Sequence, residues 1–157
     1  MPARENSKTT IAGAVGAFLD AVNGRNEDPH GNLRNLACAL DRLSLAYHEG
    51  AELQHAPNAA QPPEQDVQDL REKISRRFPD LSGSTAPVTA SSAADIADAD
   101  AIDDLTSITS DLLDVAWCLE NTSLEDATRL YRFGFSHTWG RHLCDLRSAV
   151  HFAMFGM

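Results

Sequence analysis

The chain of 157 residues is long enough to bury a hydrophobic core, and its apolar fraction of 43% is that of a globular protein rather than a disordered one. Its formal net charge of −10 argues against nucleic acid and anionic membrane surfaces as partners, because both require a basic face. No apolar run approaches the roughly 20 residues of a membrane span. A basic protein partner stays compatible with this charge.

The first two predicted elements are amphipathic helices. Apolar residues recur at helical spacing in the first, which ends at Asn23-Gly24: Ile11, Val15, Phe18, Leu19 and Val22. Asp28-Pro29 supplies an N-cap and a first-turn proline for the second helix. Its apolar positions then alternate steps of three and four: Leu33, Leu36, Leu40, Leu43 and Tyr47. This seam predicts antiparallel packing in a bundle.

A shorter third helix and a loop follow. Pro62-Pro63-Glu64 opens the helix, Pro79 ends it, and its inward side is apolar: Val67, Leu70, Ile74 and Phe78. From Ser82 to Ser92 the chain is rich in Ser, Thr, Gly and Pro and carries no charge. We predict a flexible loop at about 79–95.

The remaining sequence predicts two helices. The fourth covers about 96–120 with an apolar stripe at Leu105, Ile108, Leu112, Ala116 and Leu119. Thr122 or Ser123 caps the fifth, and since no proline follows Pro87, this helix is predicted to run unbroken to about Phe155. The sequence thus predicts an all-α fold: residues 1–157 form a single-domain bundle of about five helices with a long C-terminal helix.

A helical wheel gives the last helix two apolar sides. The predicted core side, with His142 near its centre, comprises Leu124, Tyr131, Phe135, Thr138, Trp139, His142, Leu146, Ala149 and Ala153. The far side comprises Leu130, Phe133, His137, Cys144, His151 and Phe155. Such a helix is either central in its bundle or presents its second side to a partner. Gly134 and Gly140 predict that another backbone or a bulky ring approaches closely.

The three cysteines and the N-terminus bear on the compartment. Cys38, Cys118 and Cys144 show no metal-binding or disulfide spacing, so we expect free, mostly buried thiols. Arg4 and Lys8 precede an apolar stretch as in a signal peptide, but Asp20 follows at once and no cleavage site is evident. We therefore expect a cytoplasmic protein.

The C-terminal third resembles a known family. The segment from Asp98 to His151 contains Asp103-Asp104-Leu105, Asp111-Leu112, Glu120-Asn121-Thr122-Ser123 and an H-x-W-G-x-H element from His137 to His142. Together these resemble an uncharacterised bacterial family known as domain of unknown function 5063. The resemblance implies a helical bundle. It does not imply any particular activity. The loop after Phe78-Pro79 departs from the family pattern, which is typically more hydrophobic there.

Metal binding is one hypothesis for the polar residues. His142 and Asp145 are three residues apart, and Asp104 and Asp111 lie two turns apart on the fourth helix. Bundles build metal sites from such inward carboxylates and histidines. However, no helix carries Glu-x-x-His, and seven-residue spacing separates His137, Cys144 and His151 by about 10.5 Å of rise per step.

The alternative gives His142 a structural role. A buried imidazole needs a hydrogen-bond partner, and Asp104 or Asp111 across the bundle could supply it. No nucleophile accompanies this histidine, because the Ser136 side chain points away. We expect no cofactor and lean against an enzyme.

Two functional hypotheses follow. The first is a non-enzymatic interaction or adaptor module that binds a protein partner or forms a homodimer. Its predicted interaction face is Phe133, His137, His151, Phe155 and Trp117, the last being a tryptophan opposite its helix's apolar stripe. The second is a ligand- or metal-binding bundle centred on His142.

Overall fold

A computed structural model describes residues 10–24, 28–50, 61–81 and 93–156, and every regular element in these ranges is helical. The elements are α1 (Ile11–Asn23), α2 (Pro29–Glu49), α3 (Val67–Arg77), a single 3₁₀ turn (Pro79–Leu81), α4 (Ala93–Asn121), α5 (Leu124–His137) and α6 (Trp139–Phe155). The all-α prediction is confirmed. Within the predicted loop at 79–95, both ends are helical, and residues 82–92 lie outside the described residues.

The helices begin where side chains satisfy the free N–H groups of a first turn. The Thr10 hydroxyl accepts a hydrogen bond from the amide of Gly13 at 3.0 Å, and the Ser123 hydroxyl accepts one from the amide of Asp126 at 3.1 Å. The predicted cap at Asp28 accepts from the amide of His30 at 3.2 Å. Helix α3 begins at Val67, later than predicted, with Asp66 as its N-cap.

One hydrophobic core joins the helices, and α4 lies along most of it. The largest fully buried side chains come from every described α-helix: Phe18, Leu36, Leu40, Leu43, Ile74, Leu105, Ile108, Leu112, Tyr131, Trp139 and Leu146. With 29 residues α4 is about 43 Å long, and it packs against α1, α3, α5 and α6. The apolar seam of α2 is buried as predicted at all four of its leucines, whereas Tyr47 is half-buried.

Helix α4 runs antiparallel to α5 and α6. Thr138 contacts Asp111 of α4, and His142, which comes later in the chain, contacts Asp104, which comes earlier on α4. On the other flank Arg147 of α6 pairs with Asp41 of α2 at 2.9 Å. Helix α6 therefore lies between α2 and α4.

The predicted single C-terminal helix is wrong, because the chain leaves helical geometry at Thr138. This residue has φ −129° and ψ −84°, and it separates α5 from α6. Its amide and its hydroxyl both donate to the carbonyl oxygen of Gly134, at 2.8 and 3.0 Å. The hydroxyl thus stabilises the end of α5. The sequence pattern has no proline here and did not reveal this helix end.

The two glycines at this junction allow the close approach that the sequence predicts. A Cβ on Gly134 would lie 2.3 Å from Nε1 of the buried Trp139, and one on Gly140 would lie 1.9 Å from the carbonyl oxygen of Phe135. Both distances are far below van der Waals contact. The last turn of α5 and the first turn of α6 can pack in this way because neither glycine has a side chain.

The break also changes which side of α6 is buried. The buried residues of α6 are Trp139, Gly140, Leu143, Leu146 and Val150. Of the predicted core side, Leu124 and Thr138 are exposed, and the side chain of His142 is 45% exposed. A single wheel drawn from Leu124 to Ala153 loses phase at Thr138, which accounts for the error at His142.

Candidate functional site

The central polar contact joins α6 to α4. Nδ1 of His142 lies 2.6 Å from Oδ1 of Asp104, whose side chain is almost fully buried. The predicted hydrogen bond from His142 to a carboxylate across the bundle is therefore present, and Asp104 supplies it. The predicted burial of the imidazole is wrong, since nearly half of the ring faces solvent.

Asp111 lies on α4 two turns after Asp104. The hydroxyl of Thr138 shares its one hydrogen between this carboxylate, at 3.4 Å, and the carbonyl oxygen of Gly134, at 3.0 Å. Burial raises the pKa of Asp111 above its ordinary value, while the bond from Thr138 and the nearby His142 act in the opposite direction. The negative charge of Asp114 adds to the increase in this pKa.

The four predicted metal ligands do not converge. Asp145 is exposed on the outer side of α6, whereas Asp104 and Asp111 lie on α4, two turns or about 10.5 Å of rise apart. In the described ranges, no three His, Cys, Asp or Glu side chains are grouped so that they could hold a metal ion. What the geometry provides at His142 is a hydrogen-bonded contact between α6 and α4.

A group of aromatic rings fixes α5 against the end of α2. The buried hydroxyl of Tyr131 donates to the carbonyl oxygen of Leu43 at 2.5 Å, and burial raises the pKa of this phenol. Tyr47 stacks on Phe135 with ring centroids 4.2 Å apart. The guanidinium of Arg132 lies 4.4 Å from the Tyr47 ring centroid and donates to the Tyr47 carbonyl oxygen at 2.9 Å.

Large aromatic side chains are exposed on α5 and α6. Phe133, Phe152 and Phe155 are 54%, 54% and 56% exposed. They are three of the six phenylalanines in the chain. On α5, His137 stacks on Phe133 with centroids 4.3 Å apart, and on α6 the rings of His151 and Phe155 lie 4.8 Å apart.

The predicted interaction face is thus exposed at four of its five residues. Phe133, His137, His151 and Phe155 face solvent, whereas Trp117 is half-buried and packs against the core. Sequence reasoning missed Phe152, because the wheel that it used ran through the break at Thr138. The same break separates the face into an α5 patch (Phe133 and His137) and a longer surface on α6.

The surface on α6 is a continuous stripe. Seven residues of the helix are exposed, and each has another of the set three or four positions away: Arg141, Cys144, Asp145, Ser148, His151, Phe152 and Phe155. We call this set the outer stripe. It carries one cation and one anion, so with neutral histidine its net charge is zero, in contrast to −10 for the chain.

A cleft between α1 and α2 was not predicted from the sequence. Its volume is about 440 Å³, and its lining includes Asp20, Asn35, Cys38, Arg42 and Arg77. Arg77 belongs to a basic cluster on α3 whose interspersed acids, Asp66, Asp69 and Glu72, are typical of a solvated helix face; its four cations are Arg71, Lys73, Arg76 and Arg77. The Arg77 guanidinium donates to the carbonyl oxygens of Ala21 (2.9 Å) and Gly24 and to the side chain of Asn32 (3.2 Å).

This guanidinium lines the cleft and also binds the carbonyl oxygens at the end of α1. Burial lowers the pKa of Arg77, in keeping with its enclosed position against the α1 carboxyl end. Its neighbours do lie on a solvated face, where Lys73 pairs with Asp69 at 2.9 Å and Arg71 pairs with Asp103 at 2.7 Å.

The cysteines are free, as predicted, but only Cys118 is buried. Burial raises the pKa of its thiol, which disfavours the reactive thiolate. Cys38 and Cys144 are exposed.

Comparison with known proteins identifies one relationship. A family described as "Domain of unknown function (DUF5063)" matches residues 5–155, which extends the resemblance from the C-terminal third to nearly the whole chain. No curated protein and no solved structure matches the chain. Among the described helices, none has the length and apolarity needed to cross a membrane.

Proposed function

The chain belongs to the family of domain of unknown function 5063, and from this premise we propose a cytoplasmic, non-enzymatic interaction module that binds a second copy of itself. The contact surface is the outer stripe of α6. The observation that carries the proposal is the exposure of Phe152 and Phe155 on this stripe, together with its lack of net charge. The centres of protein interfaces are enriched in aromatic residues and depleted of charged ones.

The lack of net charge on the outer stripe makes it compatible with a second copy as the occupant. Two chains of net charge −10 repel each other across most of their surfaces. The outer stripe is neutral, so two copies that meet there bring the smallest like charge into contact. A self-complementary patch of this kind is what a two-fold symmetric dimer requires.

The size of the stripe sets the expected affinity. Helix α6 has 17 residues and is therefore about 25 Å long. One helix packed on another at this length buries less than the roughly 800 Å² per partner of a standard stable interface. We therefore expect a weak dimer, with a dissociation constant on the order of 10–100 μM.

Sedimentation equilibrium from about 1 to 500 μM tests the proposal, since this range brackets the expected constant. Phe152→Glu places a charge in the apolar part of the stripe and should weaken association at least about tenfold. Leu45→Glu on α2 is the matched control, because Leu45 is 48% exposed and the same charge is added. A protein that stays monomeric throughout, or a control that weakens association equally, contradicts the proposal.

A further inference from the structure

We infer, on the basis of the proposed function, that the two α6 helices pair antiparallel with the two-fold axis at Ser148. The outer stripe is symmetric about this residue. Arg141 and Phe155 lie seven positions from it, Cys144 and Phe152 four, and Asp145 and His151 three. An antiparallel pair brings the two members of each set face to face, one from each copy.

The chemistry of each facing pair is favourable. Arg141 of one copy meets Phe155 of the other, a cation against an aromatic face. Asp145 meets His151, a carboxylate against an imidazole that can donate a hydrogen bond.

The centre of the stripe also suits this arrangement. Cys144 meets Phe152, a soft sulfur against an aromatic ring. The small Ser148 meets itself at the axis, where it permits close approach of the two helices.

A parallel pairing would lose these complementary contacts between the two helices. Each residue would then face its own copy, so that Asp145 would meet Asp145 and Arg141 would meet Arg141. Both contacts bring like charges together, and the two helix dipoles would also be aligned rather than opposed. The charge pattern of the stripe therefore selects the antiparallel arrangement.

Oxidative cross-linking tests the register. A disulfide requires Cα atoms within about 7 Å, which only residues near the two-fold axis satisfy. Ser148→Cys in a background of Cys38→Ser and Cys144→Ser should form covalent dimers with copper phenanthroline in air. The matched protein keeps Ser148 and native Cys144 in a Cys38→Ser background.

Native Cys144 should not cross-link under these conditions. In the antiparallel register its two copies are eight positions apart along the helices, or about 12 Å of rise. Efficient cross-linking through Cys144, or none through Ser148→Cys in a protein that still dimerises, overturns the register and leaves the proposed function standing. A monomer in sedimentation overturns the proposed function itself.

A charge exchange provides a second readout. Asp145→Lys should weaken association at least about threefold, because the new cation faces His151 and lies beside Arg141. Adding His151→Glu restores an opposite-charge pair and should recover most of the lost affinity. Failure of the double variant to recover argues against the contact between Asp145 and His151.

Discussion

Asp111 is a half-buried carboxylate whose charge opposes folding. Because burial raises its pKa above 3.8, the folded protein binds a proton here more tightly than the unfolded chain does. Above the raised pKa of the folded state, this group therefore lowers the free energy of unfolding by its full amount. Below the pKa of the unfolded chain, it does not lower the free energy of unfolding.

We expect Asp111→Asn to increase the free energy of unfolding at pH 7 by up to about 1 kcal/mol, since water still screens half of the carboxyl group. The asparagine oxygen can still accept from Thr138. Urea denaturation from pH 7 down to pH 4 measures the gain, which should shrink as the pH falls. Glu120→Gln, an exposed acid on the same helix, removes the same charge and should show neither effect.

His142 shows how far single residues could be predicted. A carboxylate partner on α4 followed from the sequence, because a polar ring on the inner half of a helix needs an acceptor across the bundle; the structure selects Asp104 over the alternative, Asp111. Its half exposure did not follow, because exposure depends on the rotation of α6 about its own axis. That rotation is set by the non-helical dihedral angles of Thr138, which no composition pattern encodes.

The junction of α5 and α6 makes a prediction at the scale of the element. Gly140→Ala should cost at least about 3 kcal/mol, because its Cβ would meet the backbone oxygen of Phe135 at 1.9 Å. Gly134→Ala should cost about 1–3 kcal/mol, since the obstacle is the buried indole of Trp139, which can shift slightly.

Gly16→Ala in α1 is the control, because no atom lies within 4 Å of its added Cβ. Alanine there should increase stability by about 0.5–1 kcal/mol through helix propensity. Thermal unfolding followed by circular dichroism compares the three variants. A Gly140→Ala protein as stable as the Gly16→Ala protein would show that the two helices do not meet as described.

The elements themselves were largely predictable. Apolar periodicity located α1, α2 and α4, and predicted capping residues located the starts of α2, at Asp28, and of α5, at Ser123. The six helices exceed the predicted five because the last was divided. The two glycines signalled a close approach, but not that the approaching groups belong to the adjacent turns of the same segment.

At the scale of the whole molecule, Arg77 joins three helices. It extends from the end of α3 to the final carbonyls of α1 and to buried Asn32 of α2. We expect Arg77→Ala to lower the free energy of unfolding by about 2–4 kcal/mol, because buried acceptors lose their donor.

Arg76→Ala is the neighbouring control for this prediction. Arg76 is exposed and lies 3.9 Å from Glu72 in a surface pair, so its loss should change stability by less than about 0.5 kcal/mol. Urea denaturation of both variants separates the two roles. Equal losses would assign the effect to the charge of the cluster rather than to the Arg77 contacts.

The fold class was accessible from the sequence because period and capping are local properties. The Arg77 contacts and the cleft beside them were not, because they join residues about 45 to 56 positions apart. A cluster of alternating basic and acidic residues predicts a solvated surface, and three of its four cations obey that rule.

The placement of Trp139 makes its fluorescence a reporter of the junction between α5 and α6. The chain has two tryptophans, and this one is shielded from water, whereas Trp117 is half-buried. In a Trp117→Phe background, the emission wavelength would follow a single indole wedged between two helices. Loosening at that bend would then be visible as a red shift before the rest of the bundle melts.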